Sequence, residues 1–311
     1  MNDQVQVLDK QINLEGGLQL VYQEPKEFVR YHSIYHGQKC ADYYFRRSPE
    51  ALIEVATIFD CGYLIMKDET IIGGVFLKPH FMYDLFVVPP YNDYKGLVHR
   101  LLHYLKKVSK SEEKIMIREI VEEQVPAYEQ YGCQINEANH WMIRPTEPLK
   151  AVLPEGYQSR AVSREDTEDI AGLLVKAYKA NPAYEKIGSK EDYLPHVNEF
   201  LDVHKNNTIM DECSRVVVHK RTNTIVGVCL HMEFENYPLI MSLVVDPDHQ
   251  KRGLGRYLLT HSISIASKAY PATRLSVIKD NRAIKLYEDL GFIRNGSLVD
   301  MYIGDEPLNT L

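Results

Sequence analysis

The chain contains one internal repeat, and this restricts its fold more than any other feature. LFVVPP (Leu85 to Pro90), Gly96 and YEQYGC (Tyr128 to Cys133) recur in the same order as LVVDP (Leu243 to Pro247), Gly255 and YEDLGF (Tyr287 to Phe292). Gly96 and Gly255, Tyr128 and Tyr287, and Gly132 and Gly291 are each separated by the same 159 residues. Solenoid repeats run about 20–50 residues, so a period this long marks a duplicated domain. A chain of 311 residues is long enough for two domains at roughly 100–200 residues each. The segment from Arg144 to Pro154 holds three prolines and no periodicity. It reads as a linker, which places the domains at 1–150 and 151–311.

The pattern within each half predicts an α/β fold on a mixed sheet. In the second half Ser163 is a helix cap with Glu165 and Asp166 in the first turn, and Ile170, Leu173, Leu174, Ala177 and Tyr178 form an apolar stripe of helical spacing. Arg215 to Lys220 and Ile225 to Phe234 read as a hairpin turning at Thr222-Asn223, and Ile240 to Val245 as a central strand. A helix with Leu258, Leu259, Ile263 and Ala266 follows, then a strand to Ile278, a short helix to Leu290 and a strand from Ser297 to Ile303. The first half repeats the scheme: a hairpin over Tyr63 to Leu77, a strand at Leu85 to Val88 and a helix stripe at Leu97, Leu101, Leu105 and Val108.

Composition narrows the partners. The net charge is −7, with 45% apolar and 25% charged residues, so no global positive field recruits nucleic acid or anionic lipid. The N-terminus lacks an apolar signal region, and no apolar run reaches the roughly 18 residues that span a bilayer. Five widely spaced cysteines without a CxxC pair argue against a disulfide framework or a cysteine zinc site. The expectation is a cytoplasmic protein without metal, nucleic-acid or membrane partners.

The chemistry concentrates at residues 244–259. A strand ends at Asp246-Pro247, and a loop with Gly253 and Gly255 runs directly into a helix. Glycines let main-chain N–H groups turn toward a ligand, and a helix N-terminus adds unpaired donors and partial positive charge. Lys251, Arg252 and Arg256 lie close by. Such a turn suits a diphosphate; a bare Gly-x-Gly is also a simple connection.

The surrounding residues separate these readings. Gln250-Lys-Arg-Gly-Leu-Gly255 resembles the Q/R-x-x-G-x-G/A signature of the GNAT superfamily of N-acyltransferases, and Asn281 to Phe292 resembles that family's N-x-x-A-x-x-L-Y-E-x-x-G-F segment. The resemblance is strong over 214–303 and decayed in the first half. It implies tandem GNAT domains and acetyl-CoA as co-substrate. Gln250, Arg252, Gly253, Leu254, Gly255 and Arg256 would form the pyrophosphate loop, with Lys251 adding charge. Leu243 and Val245 would pair with the pantetheine arm through their backbone, and a backbone N–H near Val245 would polarise the thioester carbonyl. Asn281 would lie near the pantetheine, or cap a helix, or both.

Tyr287 matches the family tyrosine that faces the CoA sulfur. A phenol can hand its proton to a leaving thiolate; the same tyrosine also lies on an apolar helical face with Ala283 and Leu290. Gly291 reads as a left-handed helix cap. The predicted central strand carries no titratable side chain, so the candidate bases lie just before it at His231, Glu233 and Glu235, with an ordered water as the alternative. The acceptor is read as a primary amine of a small molecule or peptide. The competing reading is an acyl-CoA-binding sensor without turnover.

The first half departs from this pattern in its loop. Only Gly96 survives, Pro89 and Pro90 lack N–H groups, and Asp93 brings a carboxylate. Measured from Val88 and Val245, the loop is two residues short. This half is expected not to hold CoA catalytically.

Overall fold

The computed structural model describes residues 8–39, 48–110, 112–184, 186–203, 207–234 and 236–304. The strands are β1 (Gln11–Leu14), β2 (Leu18–Tyr22), β3 (Gly62–Lys67), β4 (Thr70–Lys78), β5 (Phe81–Val87), β6 (Ile115–Val121), β7 (Gln134–Pro145), β8 (Tyr157–Ala161), β9 (Arg215–His219), β10 (Thr224–Phe234), β11 (Tyr237–Val245), β12 (Ala272–Ile278) and β13 (Ile293–Ile303). The helices are α1 (Pro25–Lys39), α2 (Pro49–Phe59), α3 (Tyr94–Val108), α4 (Pro126–Glu129), α5 (Thr167–Lys179), α6 (Lys190–Val203), α7 (Thr208–Cys213), α8 (Leu254–Ala266) and α9 (Ile284–Asp289). Among the described residues no helix is long and apolar enough to cross a membrane.

The chain divides into two compact units: one runs to Asn139 and also takes the chain from Gly296, and the other is His140–Asn295. The first unit orders its strands β1-β2-β3-β4-β5-β6-β13, with only β5 and β6 parallel. The predicted stripe of α3 is its buried face: Leu97, Leu101 and Leu105 are fully covered.

The second unit orders its strands β7-β12-β11-β10-β9-β8, with β11 and β12 parallel. Strand alternation explains why both sheet faces are covered. Val217 and Cys229 point to a core shared with Leu258, Leu259 and Ile263 of α8. Their neighbours Val216, Val218, Val228 and Leu230 point to a second core with Ile170 and Leu174 of α5 and Val197 of α6. The predicted cap at Ser163 is present as a capping box with Asp166, whose carboxylate also takes two hydrogen bonds of 2.6 Å from Arg160.

The boundary differs from the one the prolines suggested. Arg144 is buried and donates to the Leu290 and Pro145 carbonyls at 2.6 and 2.7 Å, and the Thr146 N–H donates to the Pro271 carbonyl at 3.0 Å. The proline-rich segment is therefore extended chain bonded to the second unit, and β7 already enters that unit at His140. β7 and β13 begin the same 159 residues apart as the repeated motifs. Yet β13 pairs from Leu298 to Ile303 with β6, while β7 borders β12. Each repeat is completed by the last strand of the other.

Candidate active site

The site grows out of a break in a ladder. β11 and β12 pair at Leu239–Arg274 and Ile240–Leu275 and then part. On its other side β11 stays paired with β10 through Val245, with one irregularity: Leu230 faces Ser242 and His231 faces Ile240, so Met241 is bulged out. A bulge bends its strand and increases local twist, and this one coincides with the parting. A cavity of about 470 Å³ occupies the opening, lined by Met241 to Val245 on one side and Leu275 to Val277 on the other. Main-chain groups of β11 beyond Ile240 thus face a cavity where a neighbouring strand would otherwise pair with them.

At the end of β11 the chain makes a tight turn. Lys176 donates to Asp246 and Asp248 at 2.8–2.9 Å, and Gln250 Nε2 donates to the Val245 carbonyl at 3.1 Å. Lys251 and Gly253 adopt φ of 59° and 86°; the second is a left-handed conformation that glycine takes without strain. The first main-chain donor of α8 to find a partner is Tyr257, bonded to the Gly253 carbonyl at 2.9 Å. The N–H groups from Lys251 through Arg256 have no protein acceptor among the described residues. Free donors at a helix N-terminus form an anion site. Gly255 allows close packing there, since a Cβ would come within 3.2 Å of Leu286 Cδ2.

Tyr287 reaches the same cavity from α9. It is 6% exposed, and its hydroxyl has no protein partner among the described residues. Burial, reinforced by the Cys229 thiol and the Tyr184 and Tyr178 phenols, holds its pKa above the ordinary phenol range, so it keeps its proton. Gly291 at φ 84° closes α9, with the Phe292 N–H on the Tyr287 carbonyl at 3.0 Å. Asn281 lines the cavity and folds its own turn: Oδ1 accepts the Ala283 N–H at 2.9 Å and Asn181 Nδ2 at 3.2 Å. Sequence reasoning missed Asn181 and Tyr184 altogether and read Tyr178 only as part of an apolar stripe. The rings of Tyr178 and Tyr184 lie 4.4 Å apart, tilted by 30°, and both residues line this wall; the run Tyr178 to Tyr184, with its Asn-Pro break just after a helix, was the available signal.

The structure brings together Leu243, Val245, Gln250, Lys251, Gly253, Leu254, Gly255, Arg256, Asn281 and Tyr287. Arg252 is not among the lining residues. Its guanidinium turns back to the Asp248 carbonyl at 3.2 Å and the Tyr157 hydroxyl at 3.5 Å. The Tyr157 hydroxyl and His249 Nδ1 share a hydrogen bond of 2.9 Å, and burial beside His219 lowers the His249 pKa.

The candidate bases are also elsewhere. Glu233 is exposed and accepts hydrogen bonds from Tyr270 at 2.7 Å and Asn207 at 2.5 Å. His231 is fully buried beside Ser262, 2.5 Å away. Neither lines the cavity, and Glu235 lies outside the described residues.

The first unit shows the same construction with altered contents. β5 and β6 pair from Phe81–Met116 to Tyr83–Arg118 and then part. Val87 faces Gly73 as Val245 faces Gly227, so Val87 and not Val88 is the counterpart of Val245. The loop to Gly96 is thus one residue short, not two. The Asp93 carboxylate accepts the Gly96 N–H at 2.9 Å, taking up a donor at the N-terminus of α3. Tyr94 stands at the repeat position of Gly253, and its hydroxyl lies 2.8 Å from that of Tyr128.

Residues 189–301 match the family described as the acetyltransferase (GNAT) domain. Over 55 residues the chain is 49% identical to the ribosomal protein bS18-alanine N-acetyltransferase of Escherichia coli strain K12. That match takes in 17% of this chain and 37% of the relative, so the chain spans well under half the length of the curated relatives it matches. A GCN5-related N-acetyltransferase from Sphaerobacter thermophilus has a similar fold, with TM-score 0.71 and 18% identity over 96% of this chain and 99% of that one. A tandem GNAT protein from the clavulanic acid biosynthesis pathway gives TM-score 0.61 and 13% identity over 94% and 100%. At these identities the two structures speak to the fold alone.

Proposed function

The chain carries a GNAT acetyltransferase domain and shares its fold with a tandem GNAT protein; from that premise we propose that the unit His140–Asn295 transfers an acetyl group from acetyl-CoA to a primary amine. The observation that carries this reading is the run of free N–H groups from Lys251 to Arg256 at the end of two parted strands. A hydrogen bond to a charged group contributes roughly 1.5–3 kcal/mol, so a few of these donors suffice to hold a pyrophosphate. The open edge of β11 then receives the amides of the pantetheine arm, which directs the thioester toward Tyr287.

The acceptor nitrogen attacks the thioester carbonyl, forming the N–C bond, and the C–S bond breaks. A main-chain N–H near Val245 stabilises the developing oxyanion. Tyr287 gives its proton to the departing sulfur and is reprotonated by the proton that the nitrogen sheds. Its raised pKa keeps the phenol protonated and ready to donate as charge develops on the sulfur. Among the described lining residues none is a carboxylate, so water in the cavity takes the nitrogen's proton and relays it to the Tyr287 phenolate. The first unit does not hold CoA: Tyr94 replaces the cradle glycine, and Asp93 caps the helix that would face phosphate.

A thiol-release assay against a panel of amines tests the proposal. The named activity of the Escherichia coli relative makes a peptide α-amine a natural first member. Release that depends on an amine is the expected result. Tight CoA binding without release by any amine would turn the reading toward an acyl-CoA sensor.

A further inference from the structure

The first unit has its own cleft where the second unit has the anion cradle. Its volume is about 660 Å³, and Tyr35, Phe86, Tyr91 and Tyr94 line it together with Asp93 and Glu123. Lys95 is the one cation among the described lining residues. At the 159-residue offset, Gln250 is replaced by Tyr91, Lys251 by Asn92, Arg252 by Asp93, Gly253 by Tyr94 and Arg256 by Leu97. Three cations, a glutamine and a glycine have given way to two aromatic rings, a carboxylate and two neutral groups, while Lys95 brings a cation to the position of Leu254. The donors have gone as well: Pro89 and Pro90 have no N–H, and Asp93 occupies the Gly96 N–H.

We propose that this cleft binds an organic cation of the alkylammonium class. Aromatic faces carry the negative end of a quadrupole and attract a cation held against them, most strongly when a carboxylate adds its charge and water is thinned out. Arg100 lies 3.5 Å from Asp93 and offsets part of its charge; Glu123 has no ion pair among the described residues, and with Lys95 in the same lining the carboxylates add local attraction beside the aromatic residues and no net negative charge. The Tyr94 hydroxyl is tied to Tyr128 at 2.8 Å and to Gln124 at 2.9 Å, which fixes that ring as a wall. The same substitutions that unfit the loop for phosphate fit it for a cation. The inference does not depend on acetyl transfer in the second unit.

The test uses choline and its uncharged isostere 3,3-dimethyl-1-butanol, titrated into the full chain by calorimetry. Saturable choline binding is expected, with the neutral isostere clearly weaker. Tyr91→Leu and the isosteric Glu123→Gln should each weaken choline by about three- to fivefold, the size of one cation–π or ion contact at a half-exposed site. Acetyl-CoA binding, measured in the same samples, should be unchanged, and a dispersed amide NMR spectrum matching the parent certifies that the first unit folds in the variants. Equal affinity for the charged and neutral probes would overturn the proposal, as would absence of saturation. So would unaltered choline binding in both variants, or displacement of choline by coenzyme A.

Discussion

The hydroxyls of Tyr94 and Tyr128 lie 2.8 Å apart in the first unit, and the second unit has no equivalent pair. There Gly253 stands in place of Tyr94, and the Tyr287 hydroxyl faces the cavity without a described protein partner. One repeat has consumed the phenol that the other leaves free. Tyr287→Phe is therefore expected to lower turnover roughly 10²-fold, the scale of a general acid, with CoA affinity nearly unchanged. Tyr128→Phe should leave turnover as it is. Steady-state kinetics beside calorimetric CoA titrations check both, and equal turnover in Tyr287→Phe and the parent would reduce Tyr287 to packing.

Gly253 and Gly255 are expected to respond differently to side chains. At φ 86° any L side chain at position 253 strains the backbone, at about 1–2 kcal/mol. Gly253→Leu should weaken CoA binding about tenfold or more, since 1.4 kcal/mol is one decade. Gly255→Ala meets only the tip of Leu286, which can move aside, so its loss should be smaller. Calorimetry on the two variants gives the order directly; the reverse order would contradict the cradle geometry.

The exchange of last strands predicts how the chain can be cut. A fragment ending at 150 lacks the β13 segment that pairs with β6, and a fragment starting at 151 lacks the buried Arg144 and the β7 residues beside β12. Each is expected to give poorly dispersed amide NMR spectra when expressed alone. A well-dispersed spectrum from the 151–311 fragment would show that β7 is dispensable.

Burial pushes the thiol of Cys61 up to about 11 and those of Cys133 and Cys213 up to about 12. An unfolded thiol ionises near 8.5. Below that pH both states keep the proton and the stability is fully present. Above it the unfolded chain releases protons that the folded chain retains, so stability falls as pH rises toward 11–12, by up to about 1.4 kcal/mol per thiol and pH unit. Urea midpoints at pH 8 and 10 should show this loss, and Cys213→Ala should remove part of it. An identical pH slope in that variant would assign the loss to other groups.

Much of the second unit is legible in the sequence because its key positions answer to backbone needs. Gly132 and Gly291 share φ of 84°, and each follows a helix whose tyrosine carbonyl takes an N–H from the next turn; that requirement preserves the repeat through divergence. The loop glycine Gly253 belongs to the same class. Less legible is α6, where Pro195 interrupts the helix interior and blurs its stripe. The strand exchange is invisible to pattern reading, because β7 and β13 occupy equivalent positions of the repeat, 159 residues apart. The length of the first unit's loop depends on which valine faces a glycine across the ladder, which spacing along one strand does not reveal. Glu233 is drawn off by Tyr270 and Asn207, partners 37 and 26 residues distant, and Arg252 by Tyr157, 95 residues distant.

Amide hydrogen exchange with and without saturating acetyl-CoA reports on the cradle itself. The donors from Lys251 to Arg256 should slow markedly on binding, while amides 92–97 of the first unit stay as they were. Unchanged exchange at 251–256, or protection arising at 92–97 instead, would contradict the assignment of the nucleotide to this turn.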